Sequence, residues 1–129
     1  MTTRYLLLNY QPVDGGPGPE EWGEQHELWS AYDRALKEAG VFVANEGLGR
    51  PEVATTVRVR GGKREIVDGP FAETKEYLAG YFVIDVPDLD AALDWAARMP
   101  ASGYGSVEVR PVWAATRSAG DWADRQGEA

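Results

Sequence analysis

Apolar and polar positions alternate along this chain in runs that change period several times, with glycine- and proline-rich breaks between them. Arg4-Tyr5-Leu6-Leu7-Leu8-Asn9-Tyr10 is a continuous apolar run and predicts a central strand rather than a half-exposed one. A loop follows, punctuated by Asp14-Gly15-Gly16-Pro17-Gly18-Pro19. From about Glu20 to Ala39 the period becomes helical. Trp22, Trp29, Tyr32, Leu36 and Ala39 share one stripe, so that face is expected to be buried. Glu20 and Glu21 suit the positive end of the helix dipole, and Gly40 is a natural terminator. His26 lies at the margin of the stripe, a position from which a side chain can enter a cleft.

Val41 to Glu46 predicts a second strand. Thr55 to Arg60 then alternates, Gly61-Gly62 makes a two-residue turn, and Lys63 to Val67 runs back. That turn pairs Val59 with Arg64, Arg58 with Glu65, Val57 with Ile66, and Thr55 with Asp68. Paired residues share a face, so Asp68 is expected on the side of Val57 and Ile66, facing the core. A carboxylate aimed at an apolar face needs a donor. Gly80 to Val86 is another buried strand. Asp88 is the expected cap of a second helix, with Leu89, Ala92, Leu93 and Ala96 as its stripe and Pro100 as its end. Trp95 falls off that stripe and is expected to cover a loop or a subunit contact. Ser106 to Val112 is the last strand. From about Thr116 the chain turns polar, which predicts a domain over residues 1–115 and a tail over 116–129, with Trp122 available to dock on a neighbour.

This order implies an α+β, ferredoxin-like sandwich with an antiparallel sheet and an extra β-hairpin. Two helices cover only one face of such a sheet. A second subunit is the simplest cover for the other, so a homodimer is expected.

Composition narrows the function. A chain of 129 residues holds one core. A net charge of −8 disfavours nucleic acid, which needs a basic face. The chain has no cysteine, so disulfides and thiolate sites are excluded. A single histidine and scattered carboxylates show no metal-ligand spacing, and no cofactor fingerprint is present. The short apolar run after Arg4 is too brief for a signal peptide or a membrane span, so a cytoplasmic location is expected.

The densest chemistry is Asp68-Gly69-Pro70-Phe71-Ala72-Glu73-Thr74-Lys75-Glu76. With Gly80-Tyr81-Phe82, the helix from Asp88 to Leu93 and the closing Gly105 to Pro111, it resembles the YCII-related proteins of the DGPF type. The resemblance runs from the first strand to Val112. It implies a dimeric α+β barrel, small-molecule chemistry through a His–Asp pair, and, for the DGPF type, an association with extracytoplasmic-function sigma factors. His26 occupies the place of the histidine of the YCII branch. The aspartate of that branch follows the second helix, where this chain has Met99-Pro100. Asp68 is the candidate to replace it.

Two readings stand for each candidate. His26 is a general base or a surface imidazole held by water or a carboxylate. Asp68 is its partner, or a turn residue accepting from backbone N–H groups. Gly69 and Pro70 shape the backbone, and Phe71 is a core plug or a platform. Glu73 and Lys75 grip a polar ligand or hold the loop by ion pairs. The functional expectation is therefore a small-molecule-binding protein that uses His26 and Asp68 for lyase- or isomerase-like proton transfer, with Gly69, Pro70, Phe71, Glu73 and Lys75 at the ligand. The alternative is a non-catalytic ligand-binding or regulatory dimer linked to sigma-factor control.

Overall fold

The computed structural model describes residues 1–113; the expected tail, with Trp122, lies outside them. Six strands and two helices follow one another as β1 (Thr3–Pro12), α1 (Trp22–Glu38), β2 (Phe42–Gly47), β3 (Thr55–Arg60), β4 (Lys63–Asp68), β5 (Glu76–Val86), α2 (Leu89–Arg98) and β6 (Ser106–Pro111). Four strands form one sheet in the order β2-β5-β1-β6, every neighbour antiparallel. With the β3–β4 pair set aside, this is the ferredoxin-like α+β arrangement expected from the sequence.

Pairing decides which side chains meet the helices. Leu7 lies opposite Phe82 on one side and Val109 on the other, and Tyr5 lies opposite Ile84. All belong to or pack on a single core with Tyr32 and Leu36 of α1 and Ala92 and Ala96 of α2. Alternation then sends Leu6, Leu8, Tyr81 and Val83 to the opposite face, which neither α1 nor α2 covers. A register shift between Asn9 and Tyr10 breaks the β1–β5 ladder near its end.

The helices end as their residues dictate. Gly40, at φ 72°, lets α1 close with Val41 N–H donating to the Leu36 carbonyl at 3.1 Å and Gly40 N–H to the Lys37 carbonyl at 3.0 Å. Asp88 Oδ1 accepts from Ala91 N–H at 2.9 Å and caps α2.

Burial corrects both predicted stripes. Tyr32 and Leu36 are buried and Trp29 packs on the core, but Trp22 is 64% exposed and Ala39 is exposed. Trp22 opens the helix, ten residues before Tyr32, and at 1.5 Å per residue it stands about 15 Å away along the axis. On α2 Ala92 and Ala96 face inward while Leu89 and Leu93 are nearly half exposed. Trp95, expected off the buried face, packs on the core, and its carbonyl accepts the Tyr32 hydroxyl at 2.8 Å. Small residues let the helix approach the sheet closely, and the large indole fills the flank.

The hairpin has the expected register in full: Val59 with Arg64, Arg58 with Glu65, Val57 with Ile66, Thr55 with Asp68. Gly61 and Gly62, at φ 56° and 77°, make the turn. Its destination differs from the expectation. The β3–β4 pair is a sheet of its own, and Val57, Val59 and Ile66 are more than half exposed rather than laid on the core.

Candidate functional site

A cleft of about 700 Å³ lies between α1 and the β2–β5 edge of the sheet. Its floor is aromatic. Trp29 and Phe82 lie nearly parallel, 4° apart with centroids at 6.3 Å, and Tyr32 meets both edge-on. Above the floor, His26, Ser30, Arg34 and Lys37 recur at three- and four-residue spacing, so α1 presents them as one row. Asn45 of β2 lies opposite Phe82 across the ladder and closes the other wall.

The charges in the row are unequal in freedom. Lys37 Nζ is held at 2.8 Å by Asp33 and lies 4.8 Å from the centre of the Phe42 ring. Arg34 has no ion pair among the described residues, so its guanidinium is available to an incoming anion. Glu38 adds one acid at the far end. Among the described residues the cleft therefore offers an aromatic floor, a guanidinium with no ion pair, one imidazole, a hydroxyl and a carboxamide.

A second polar–aromatic cluster lies beneath the N-terminal half of α1. The Tyr104 hydroxyl donates to Gln25 Oε1 at 3.4 Å, and Arg50 Nη1 donates to the Tyr77 hydroxyl at 3.2 Å. Burial pushes the Tyr104 phenol above its usual range, against a lowering by a hydrogen bond with Trp29. Asn9 is 6% exposed, and its Oδ1 has no hydrogen-bond partner among the described residues.

His26 is exposed and reaches the cleft from the helix margin, as its place in the periodicity predicted. Asp68 does not join it. No residue from 68 to 76 lines the cleft, and no hydrogen bond or ion pair links His26 to Asp68. Asp68 is exposed at the end of β4, because the hairpin leaves the sheet instead of folding under α1. The inward orientation expected from the register is thus corrected; the register was right and the surface it was assumed to face is absent.

The rest of the motif is held by backbone bonds. Gly69, at φ 106°, donates to the Ala54 carbonyl at 2.7 Å, and its own carbonyl accepts the Thr56 hydroxyl at 2.8 Å. The Lys75 carbonyl accepts from Val13 N–H at 2.9 Å, and the Thr74 hydroxyl donates to the Glu76 carbonyl. Pro70, Glu73 and Lys75 are exposed, and neither charged side chain forms an ion pair among the described residues. Phe71 is no core plug: it is 78% exposed, with the Arg58 guanidinium 5.5 Å from its ring centre.

Among the described residues no three His, Cys, Asp or Glu side chains are grouped to hold a metal ion, and no helix is long and apolar enough to cross a membrane. Sequence reasoning placed Trp29 and Phe82 in the core without seeing that they stack as a floor. It missed Ser30, Arg34 and Asn45. The helical row was legible at 26, 30, 34 and 37; the facing Asn45 was not, since only the β2–β5 register brings it there.

Residues 3–116 match the family described as the YCII-related domain. The chain belongs to the YCII-related family. It is also 42% identical over 109 residues to an uncharacterised protein of Rhizobium meliloti (strain 1021), a match covering 83% of this chain and 88% of that one. Within this YCII-related protein, both the cleft residues and the exposed Asp68 to Glu76 segment fall inside the family match.

Proposed function

We propose that this YCII-related protein is a cytoplasmic homodimer of the DGPF type that binds a small organic acid in the α1 cleft. The observation that carries the reading is the parallel Trp29–Phe82 pair lining the same cleft as Arg34, which has no ion pair among the described residues. A flat apolar body fits such a floor, and a carboxylate is the natural partner of a guanidinium, which can bind it through two parallel hydrogen bonds. His26, Ser30 and Asn45 supply donors for a carbonyl or second carboxylate oxygen. A small carbonyl acid meets all of these groups.

Binding requires nothing of Asp68. Proton transfer through a His26–Asp68 pair would require the carboxylate of a second chain, since within one chain Asp68 lies outside the cleft. The geometry therefore favours the non-catalytic, ligand-binding reading. The dimer is supported by the face of the sheet that α1 and α2 leave open, where Leu6 and Val83 pair and are only half-buried.

His26 is the single histidine, so its ring protons are a clean reporter for NMR. Titration with a panel of small 2-oxo and 3-oxo acids is expected to move them saturably. Arg34→Ala should weaken binding about 10- to 100-fold, the range of a charge-assisted hydrogen bond. Trp29→Ala should weaken it about 3- to 10-fold through lost stacking. Asp68→Asn should leave both the His26 resonances and the affinity in place. Ring protons unmoved by every acid would end the binding proposal; a His26 signal displaced by Asp68→Asn would revive the pair.

A further inference from the structure

Asn9 is a carboxamide closed inside the fold, and its Oδ1 accepts no hydrogen bond among the described residues. A buried acceptor left unmatched costs stability, so its presence needs a reason. The register shows how it arises. Asn9 shares the helix-facing side of β1 with Tyr5 and Leu7. Directly across from it stand Gly80 on β5 and Val107 on β6, neither of which carries a donor side chain. Gly80 admits nothing larger, since a Cβ there would lie 2.6 Å from the Glu46 carbonyl oxygen of β2.

The same register ties Asn9 to the cleft. Leu7, the preceding residue on that side, pairs with Phe82, so Asn9 lies about 7 Å further along β1. Phe82 and Trp29 are the parallel aromatic pair of the cleft. Lys37 lies over Phe42, which pairs with Ile84, so β5 passes from 84 through 82 to 80 as α1 passes back from Lys37 to Trp29. Arg34 therefore belongs to one end of the aromatic pair and Asn9 to the other. Past Asn9, Gln11 pairs with Tyr77, and the Tyr104 hydroxyl donates to Gln25 at 3.4 Å. An O–H···O bond is ordinarily about 2.5–3.0 Å, so this closure at the N-terminal end of α1 is weak.

We infer that Asn9 is the specificity-determining acceptor of the cleft: a ligand with its carboxylate on Arg34 and an aromatic ring on Trp29 and Phe82 donates a hydrogen bond from the far end of that ring to Asn9 Oδ1, displacing the Tyr104–Gln25 bond as it enters. This rests on the binding proposed above and narrows the ligand to a ring-bearing acid with a hydroxyl or N–H opposite its carboxylate. Such a ligand supplies the donor that the described residues do not. An analogue without it leaves the acceptor unmatched, the circumstance in which a polar site discriminates most strongly.

Isothermal titration of the full chain with para-hydroxyphenylpyruvate and para-fluorophenylpyruvate, acids of similar size of which only the first donates from the ring, tests the assignment. The wild type is expected to bind the hydroxy acid about 10- to 100-fold more tightly. Asn9→Leu, close in volume and without the acceptor, should melt no lower than the wild type, keep its affinity for the fluoro acid and bind the two alike. Asn9→Val, which is smaller, carries the same expectation on binding should leucine crowd the row. Equal binding of the two acids by the wild type, or a preference that survives loss of the carboxamide, overturns the role of Asn9 and spares the cleft. Neither acid binding while a smaller oxo acid still moves the His26 ring protons also overturns this inference alone. No acid binding at all ends both.

Discussion

Tyr32 shows how one residue can tie the two helices together and also set a limit on the conditions the protein tolerates. Its ring sits edge-on to Trp29, Phe82 and Trp95, and its hydroxyl donates to the Trp95 carbonyl. Burial pushes its phenol far above the usual 10.0, against a small lowering by Arg98. A folded-state pKa raised in this way leaves stability untouched below the unfolded value. As pH rises from about 10 the unfolded chain ionises first, and stability is lost until the folded phenol also titrates. Urea melts at pH 7 and pH 10.5 should therefore show a marked loss in the wild type. Tyr32→Phe should lower stability by about 1 kcal/mol at pH 7 through the missing hydrogen bond, and flatten the alkaline loss. An equally steep loss in the variant would assign the alkaline sensitivity elsewhere.

At the scale of elements, α1 has two jobs on adjacent stripes. Trp29, Tyr32 and Leu36 hold it to the sheet, while His26, Ser30 and Arg34 look into the cleft. The burial of the holding stripe depends on position along the axis as well as on apolarity. Leu36 is fully buried, so Leu36→Ala should cost about 2–5 kcal/mol through lost transfer energy and the cavity left behind. Trp22→Ala, on the same sequence stripe but exposed, should change stability by no more than about 0.5 kcal/mol. Thermal melts of the two variants separate them; a large loss in the Trp22 variant would mean that the N-terminal end of α1 is covered by something else. The hairpin makes the complementary point. Local chemistry sets its turn and register, and says nothing about where it goes.

For the whole molecule the main fact is asymmetry of cover. The helices and the core lie on one side of the sheet, and the other side carries Leu6, Leu8, Tyr81 and Val83 with Glu108 joined to Tyr10 and Arg110 around them. The homodimer proposed for this face predicts that Leu6→Asp with Val83→Lys leaves the secondary structure intact and weakens association about 100-fold or more. Light scattering coupled to gel filtration would read this directly. Association of normal strength in that variant would remove the sheet face from the interface.

Much of this protein could be derived from local order in the chain. Strand and helix periods, the Asp88 cap, the Gly40 stop and the double-glycine turn each depend on neighbours within a few residues, and those forces act in any context. The hairpin register and the margin position of His26 followed for the same reason. Tertiary structure alone decided which predicted faces were buried. Trp22, Leu89 and Leu93 were apolar enough to go inward, yet the way α1 and α2 are seated on the sheet leaves them exposed. It also decided that Asp68 stands apart from His26 and that Asn45 and Phe82 complete the cleft, because distances between elements far apart in sequence are set by packing and strand order, which no local pattern encodes.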